Sequence, residues 1–316
     1  MLKVPAFECC RVLRCSLVRA GALRQSSLIQ GVRGVQIVRQ LDPLRSAVEA
    51  LKQNGVLALV PTMGALHDGH LALIRAAQAQ AVHVVVSIFV NPRQFGVGED
   101  LERYPRQMDA DRALLEAEGV SLLWVPDAAV MYPASYATNI AVSGISAGLC
   151  GAARPGHFDG VATVVCKLFN QVRPDLAVFG EKDWQQLAVI RHMARDLDLV
   201  FPRADAIHAV PIVREDDGLA RSSRNAFLSP ADRIAAAALP RAMQRALSAI
   251  RSGSAINAAL AAFTVEVLAG GFSAIDYAEL CDAESLETLT AVRGQPARLL
   301  VAARIGATRL IDNMPL

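Results

Sequence analysis

Aromatic residues and long apolar runs are scarce in this sequence. Aromatics make up 5% of its 316 residues although 53% are hydrophobic, so the apolar content is largely aliphatic. No apolar stretch reaches the roughly 18 residues that a membrane-spanning helix needs. We therefore expect no membrane partner, and the chain is long enough to bury a large core and to divide into two domains.

Net charge is also small, and the cysteines lack the spacing of a metal site. Lysine and arginine number 32 against 30 acidic residues, so no overall field attracts nucleic acid and we expect no such partner. The cysteines, six in all, include no CxxC pair. This pattern argues against a disulfide framework or a metal cluster and favours a reducing compartment such as the cytoplasm.

Acidic residues are nearly absent from residues 1–34, where Glu8 stands against six lysines and arginines. We expect a basic extension that is disordered. A start codon placed too far upstream would also explain it. A third reading is a mitochondrial transit peptide, because such peptides are rich in arginine and poor in acids.

Beyond residue 34, apolar runs alternate with helical patterns. Strands are predicted at residues 56–60, 83–90, 121–125 and 176–179, and a helix from residue 35 through residue 51. This alternation predicts an α/β fold with a doubly wound parallel sheet over residues 35–207. The composition changes near Pro202, and alanine-rich helical stretches follow. We expect a smaller α+β domain over residues 208–316, which includes all but the first residue of the apolar run 207–213.

The first predicted strand ends in a turn that leads into a helix. His67 and His70 stand three residues apart at the start of that helix, so both rings can face one bound group. Ligands of open α/β sheets bind outside the carboxyl ends of strands, and helix N-termini favour phosphate. The turn therefore predicts a nucleotide site. The alternative is a helix start with two incidental surface histidines.

Three later segments offer polar groups at the same sheet edge. Asn91 and Gln94 suit a small substrate with hydroxyls and a carboxylate, although turn polarity alone explains them too. Lys182 suits phosphate, whereas Asp183 and the glutamine three residues later have the spacing of a capping box. The serines and arginine of residues 217–225 match triphosphate oxygens, or form an ordinary solvated loop.

Five runs together resemble the pantoate–β-alanine ligase family of class I adenylate-forming enzymes. They are PTMGALHDGH at 61–70, VSIFVNPRQF at 86–95, RPGHF at 154–158, FGEKDWQQL at 179–187 and DGLARSSRN at 217–225. With RLIDN at 309–313, the resemblance covers roughly residues 36–313. It implies a Rossmann-like domain with a smaller C-terminal domain that carries a flexible phosphate loop. It also implies a cytoplasmic enzyme, expected as a homodimer.

The activity that the resemblance implies is condensation of pantoate with β-alanine through a pantoyl adenylate, with release of AMP and pyrophosphate. ATP and Mg²⁺ are the expected cofactors, the metal arriving with ATP. The residues implied as catalytic are His67, His70, Lys182, Ser222, Ser223 and Arg224. These six also bind ATP, together with Met63, Gly64, Gly180, Glu181 and Asp183. Those implied for pantoate and β-alanine are Asn91, Gln94, Tyr104, Arg154 and Gln186.

Three positions depart from the family pattern. Cys150 stands where glutamate is frequent, Arg221 where methionine or leucine is usual, and Trp184 where tyrosine or phenylalanine is usual. Two other functions stay open on the sequence alone. One is a nucleotidylyltransferase or shortened aminoacyl-tRNA synthetase of the same superfamily, although near-neutral charge disfavours a tRNA partner. The other is a nucleotide-binding regulatory protein without catalysis.

Overall fold

The larger sheet has six parallel strands in a computed structural model that describes residues 34–316. The strands are β1 (Gln36–Val38), β2 (Leu57–Thr62), β3 (His83–Ile88), β4 (Leu122–Trp124), β5 (Leu176–Gly180) and β6 (Ile207–Val210). Their spatial order is β1-β4-β3-β2-β5-β6. The order reverses between β2 and β5, and open α/β sheets bind ligands at such a reversal. Apart from Gly34, the predicted basic extension of residues 1–34 lies outside the described residues.

Helices cover both faces of this sheet. They are α1 (Leu41–Lys52), α2 (Asp68–Gln78), α3 (Met108–Ala117), α4 (Ala128–Met131), α5 (Cys150–Ala153), α6 (His157–Val172) and α7 (Trp184–Asp196). Alternate residues of β2 point to opposite faces. Ala58 and Val60 pack with α2 and α3, whereas Leu57 and Leu59 pack with α1, α6 and α7. The sheet is therefore doubly wound, as predicted.

A second, antiparallel sheet follows along the chain. It consists of β7 (Ala274–Asp282), β8 (Ala297–Ile305) and β9 (Thr308–Pro315), in that order. The helices of this part are α8 (Pro230–Ala235), α9 (Ala238–Arg251) and α10 (Ile256–Ala269). Phe263 of α10 and Met243 of α9 pack on Val301 of β8 in a separate apolar core. The predicted fold class, a parallel α/β sheet with a smaller α+β part, is confirmed.

Several predicted elements differ from those observed. The segment from residue 35 begins with strand β1, which pairs with β4, and the helix starts only at Leu41. The sequence pattern also predicts a helix from Tyr104, whereas the observed helix begins at Met108. Strand β6, assigned by prediction to the smaller domain, pairs with β5 through Val210 in the larger sheet. The division into domains at residues 207 and 208 stays a prediction. No helix of the described part is long and apolar enough to cross a membrane.

Candidate active site

A cleft of about 400 Å³ opens where the strand order reverses between β2 and β5. All but two of the predicted site residues line it. They are Met63, His67, His70, Asn91, Gln94, Tyr104, Arg154, Gly180, Lys182, Asp183, Gln186, Ser222, Ser223 and Arg224. The two exceptions are Gly64, whose φ of 82° makes the turn after β2, and Glu181, which pairs with Arg298 of β8. The sequence thus predicted residues that the fold brings together.

The two histidines form the N-terminal cap of α2. Nδ1 of His67 accepts from the Gly69 N–H at 3.1 Å, and Nδ1 of His70 accepts from the His67 N–H at 3.3 Å. Their ring centroids lie 4.2 Å apart. Because both Nδ1 atoms are acceptors, each neutral ring bears its proton on Nε2. Two N–H donors therefore remain available to a ligand at a helix N-terminus.

Burial keeps these histidines neutral. It lowers the pKa of His67 to about 4, with further lowering by the charges of Lys182 and Arg221. It lowers the pKa of His70 to about 3, again with a contribution from Lys182. Neutral and protonated histidines can both donate hydrogen bonds to phosphate. At neutral pH the structure has neutral imidazoles beside a cationic lysine, so the histidines donate hydrogen bonds without adding charge.

These shifts predict a loss of stability in acid. The unfolded histidines bind protons below pH 6.5, whereas the folded His67 and His70 do so only near pH 4 and 3. The unfolded state then binds more protons, so the free energy of unfolding falls as the pH drops from about 6.5 toward 4. For His70 alone we expect a loss of about 2 kcal/mol at pH 5. Thermal melts from pH 7.5 to 4.5 measure it, with His70→Gln as comparison. An equally steep loss in that variant would contradict the assignment.

A buried carboxylate holds the turn before the histidines. Asp111 of α3 is 1% exposed and accepts from the N–H groups of Ala65 and Leu66, at 2.9 and 2.8 Å. Ala65 has a φ of 52°, a left-handed conformation that costs a residue other than glycine some strain. Asp111 compensates by binding two neighbouring amides. No local pattern in the sequence signals this residue, because its partners lie more than forty positions earlier.

Of the two amides predicted for a small substrate, Asn91 caps the 3₁₀ helix Pro92–Gln94 that follows β3, and Gln94 is the last residue of that helix. Nδ2 of Asn91 donates to Oε1 of Gln94 and to the Gly160 carbonyl, both at 3.1 Å. Its Oδ1 accepts from the Tyr132 hydroxyl at 2.9 Å. Asn91 is 1% exposed, so its amide is used within the protein. It orients Gln94, whose Nε2 reaches Met63 Sδ at 3.1 Å in the cleft wall.

Arg154 is paired with a carboxylate. Its guanidinium donates to both oxygens of Glu99, at 2.8 and 2.5 Å, and to the Gln94 carbonyl at 3.2 Å. Nδ1 of His157 donates to the same carbonyl at 2.8 Å. Burial and the Arg154 charge lower the pKa of His157 to about 4. These contacts favour a role for Arg154 in ordering the loop over its implied role in binding an anionic substrate.

A glycine of α6 allows the close approach of this loop. A Cβ added to Gly160 would lie 2.3 Å from the Arg93 carbonyl oxygen and 2.7 Å from the Gln94 nitrogen. Both are backbone atoms, so a side chain at this position must displace the segment that holds Gln94. In the sequence, Gly160 is marked only by its place at the end of the glycine-rich stretch 144–160.

Gly160→Ala should therefore impair substrate positioning. We expect the KM for the small acid to rise about 10- to 100-fold, because a shift of roughly 1 Å at a binding group has effects of this order. Steady-state kinetics with a melting curve measure it. Gly148→Ala is the matched control, since its Cβ would meet nothing within 4 Å. Similar kinetics for both variants would show that the Gly160 contact does not set the position of Gln94.

The loop after β5 places Lys182 in the cleft. Lys182 lies 3.5 Å from Asp183, whose side chain is 44% exposed. The predicted capping box is not formed, because Asp183 makes no side-chain cap hydrogen bond to α7. Its carboxylate is instead free to face the cleft, and Gln186 lines the same wall. The alternative interpretation, in which Asp183 and Gln186 form a capping box, is therefore wrong.

The predicted phosphate loop is attached to the rest of the cleft by polar contacts. Arg224 makes a bidentate pair with Asp100 at 2.8 and 2.9 Å. The Ser223 hydroxyl lies 3.1 Å from that of Tyr104. Arg221 contacts Asp68 at 2.8 Å, which gives this departure from the family pattern a definite partner. All these partners belong to the larger α/β part, and Asp68 follows His67 directly, so the loop contacts the histidine turn.

Cys150 lies in the cleft wall among side chains of the smaller sheet. Its Sγ is 3.0 Å from the Tyr277 hydroxyl and 3.6 Å from Nη2 of Arg309. Burial raises the pKa of Tyr277 above its usual value. Arg309 also pairs with Asp276 at 2.6 Å. The thiol thus fills a packed polar corner, and Tyr277 and Arg309 are cleft residues that sequence reasoning did not assign.

Comparison of the sequence with known proteins points to one enzyme family. The sequence model of the pantoate-beta-alanine ligase family matches residues 36–315. A pantothenate synthetase of Novosphingobium aromaticivorans is 64% identical over 281 residues, which cover 89% of this chain and 98% of the relative. One from Sphingopyxis alaskensis is 59% identical over 282 residues, covering 89% and 99%. The similarity therefore extends over nearly the full length of these relatives.

Solved structures show the same fold. The pantothenate synthetase of Thermus thermophilus has a TM-score of 0.82 at 47% identity, covering 89% of this chain and 99% of that one. A pantoate-beta-alanine ligase of Francisella tularensis has a TM-score of 0.75 at 31% identity, covering 89% and 97%. That structure is described as a complex with beta-gamma ATP and beta-alanine.

Proposed function

Because the chain belongs to the pantoate-beta-alanine ligase family, we propose that its cleft joins pantoate to β-alanine by way of an adenylate. The overall activity is ATP-dependent pantoate–β-alanine ligation in pantothenate biosynthesis. The observation that supports the adenylate route is the placement of three groups around one cleft. The cleft is lined by the neutral histidines, by Lys182 and by the predicted phosphate loop with Ser222, Ser223 and Arg224 (the Ser-Ser-Arg loop). All of these groups are donors suited to phosphate oxygens.

In the first half-reaction a pantoate carboxylate oxygen attacks the α-phosphorus of ATP, and pyrophosphate leaves. Negative charge shifts to the departing oxygens. Nε2–H of His67 and His70, with Lys182, would stabilise that charge. Ser222, Ser223 and Arg224 would bind the β- and γ-phosphates. Gln94 and Gln186 would hold pantoate through its hydroxyls.

In the second half-reaction the amine of β-alanine attacks the acyl carbon of the pantoyl adenylate. The carbon–nitrogen bond forms, AMP leaves, and the nitrogen loses a proton. No protein nucleophile is required, so this step is compatible with a Cys150 thiol that is packed against Tyr277 and Arg309. The role of the chain is orientation and exclusion of water from a reactive mixed anhydride.

Mg²⁺ would neutralise triphosphate charge in this reaction. Among residues 34–316, no group of three histidine, cysteine, aspartate or glutamate side chains is arranged to hold a metal ion. Oxygen ligands are nevertheless available at the cleft, since Asp183 is 44% exposed there. Mg²⁺ takes few protein ligands when phosphates supply the others, and Asp183 fits that arrangement.

The experiment that tests this function is a substrate panel scored for AMP and pyrophosphate. We expect pyrophosphate exchange to require both ATP and pantoate, and AMP formation to require β-alanine as well. A nucleotidylyltransferase would instead transfer AMP to a phosphorylated acceptor. A regulatory protein would bind ATP without exchange. Either result would contradict the adenylate route.

Assembly and location are separate parts of the proposal. The expected homodimer stays a prediction. The cytoplasm suits three buried free cysteines, Cys150, Cys166 and Cys281, because thiols persist in reducing compartments. The mitochondrial alternative has no support among the relatives named above, which are bacterial proteins.

A further inference from the structure

Consecutive residues of β9 contact the two loops assigned to phosphate. Asp312 accepts from both terminal nitrogens of Arg214, at 2.7 and 2.9 Å, where the Ser-Ser-Arg loop begins. Nδ2 of Asn313 donates to the carbonyls of Glu181 and Lys182, each at 2.9 Å. Asp312 and Asn313 are each 2% exposed. The last strand of the smaller sheet is thus connected to both phosphate-binding loops.

The connection to the Lys182 loop is the more extensive. Oδ1 of Asn313 accepts from Arg298 of β8, and Arg298 also pairs with Glu181 at 3.0 Å. The guanidinium of Arg298 lies 3.7 Å from the centre of the Trp184 ring. Glu181 and Trp184, which flank Lys182 and Asp183, are therefore held by the smaller sheet, and Asn313 holds the Lys182 carbonyl.

The Lys182 loop has little support of its own. Residues Glu181–Asp183 form a single 3₁₀ turn whose N-cap is Gly180, and no side chain caps it. Nor does Asp183 cap the following helix. Because such a short turn is weakly stable alone, its conformation depends on contacts from the smaller sheet. Among these contacts, the two hydrogen bonds from Asn313 reach its backbone carbonyls.

We propose that Asn313 is a positioning residue for Lys182 in the adenylation step, an inference that rests on the proposed function. Asparagine suits this place because one nitrogen supplies two donors and the oxygen accepts from Arg298. Aspartate has nearly the same shape but no donor for the two carbonyls. Asn313 fixes the backbone from which the lysine reaches phosphate, and the lysine makes the contact.

A double-mutant cycle tests the proposal. Asn313→Ala and Asn313→Asp are each made in the parent and in Lys182→Ala, and pantoate-dependent pyrophosphate exchange is measured at raised enzyme concentration. In the parent we expect a loss of about 30- to 100-fold in kcat/KM for ATP. In the Lys182→Ala background we expect less than about a threefold further loss, because the positioned group is gone.

Equal losses in both backgrounds would overturn the proposal, since a general structural role does not depend on Lys182. Met314→Ala is the matched control on the same strand. It removes a side chain from the core of the smaller sheet, and we expect it to lower the melting temperature without changing the KM for ATP. If Asn313→Ala does not fold, Asn313→Asp keeps the side-chain volume and decides the question.

Failure of the proposed function would look different. The parent would then show no pantoate-dependent exchange. The double-mutant cycle could still be completed by measuring the Kd for ATP of each variant by equilibrium dialysis. Weaker ATP binding on Asn313 substitution that disappears in Lys182→Ala supports positioning. Weakening by the same factor in both backgrounds contradicts it.

Discussion

Lys182→Ala should fold normally and lose at least about 100-fold in the rate of adenylate formation. Removing one positioned donor from developing negative charge typically has an effect of this size. Lys182 lines the cleft beside both histidines, and its charge lowers the pKa of each. Pantoate-dependent pyrophosphate exchange measures the loss. Near-parental exchange would remove Lys182 from the mechanism.

A control lysine is available outside the cleft. Lys167 lies 4.7 Å from the ring centre of Tyr136 and is not among the cleft-lining residues. Lys167→Ala removes the same charge and should leave exchange within about threefold of the parent, as expected for a surface interaction. A large loss in both variants would point to a general effect of net charge on ATP binding.

His67→Ala should also lower the rate of adenylate formation, but for a different reason than Lys182→Ala. It removes both an Nε2–H donor and the acceptor for the Gly69 N–H. His67→Gln keeps a donor and should recover part of the rate. Because the pKa of His67 is already lowered to about 4, we expect kcat/KM for ATP to show no histidine ionisation near pH 6.5. A fall in kcat/KM as the pH rises through 6.5 would assign a protonated histidine to the step.

Sequence reasoning located the histidine turn because its signal is local. A strand, a turn and a helix start follow one another within residues 56–71, so their spatial relation follows from the α/β fold. The positions of the loops after β3 and β5 follow from the α/β fold in the same way. Parallel strands place their carboxyl ends at one edge, which is why Gln94 and Lys182 reach the same cleft.

The pairing of charges was not predictable in this way. Arg154 and Arg224 look like anion ligands in the sequence, but Glu99 and Asp100 are their partners, 55 and 124 positions away. Asn313 lies 131 positions from Lys182. Such pairs depend on how the smaller sheet meets the larger one, and no local pattern encodes that. Strand β1 was missed because three residues are too short to show a period.

The Arg224 and Asp100 pair leads to the second large effect. Arg224→Ala removes a fork of donors suited to phosphate and also leaves the Asp100 carboxylate unpaired beside the proposed ATP site. Both changes oppose binding of a triphosphate. We expect kcat/KM for ATP to fall about 100-fold or more, and Arg224→Lys to recover little because lysine cannot bind two oxygens as a planar fork.

A double substitution separates the two causes. Asp100→Asn combined with Arg224→Ala should recover part of the loss, since it removes the unpaired carboxylate. No recovery would show that the missing donors account for the whole effect. Arg233→Ala is the control, because Arg233 pairs with Glu215 and Asp217 of the same loop and does not line the cleft. It should keep kcat/KM for ATP within about fivefold.

The same pair determines how the loop responds to substrates. Opening of the Ser-Ser-Arg loop must break the Arg224 contact with Asp100 and the Arg221 contact with Asp68. ATP offers phosphate oxygens in place of the carboxylates, so ATP with pantoate should protect residues 215–225 from proteolysis, whereas β-alanine alone should not. In Arg224→Ala this protection should weaken, while the KM for β-alanine changes little. Equal protection by β-alanine alone would contradict loop closure on phosphate, because β-alanine has no phosphate to replace Asp100.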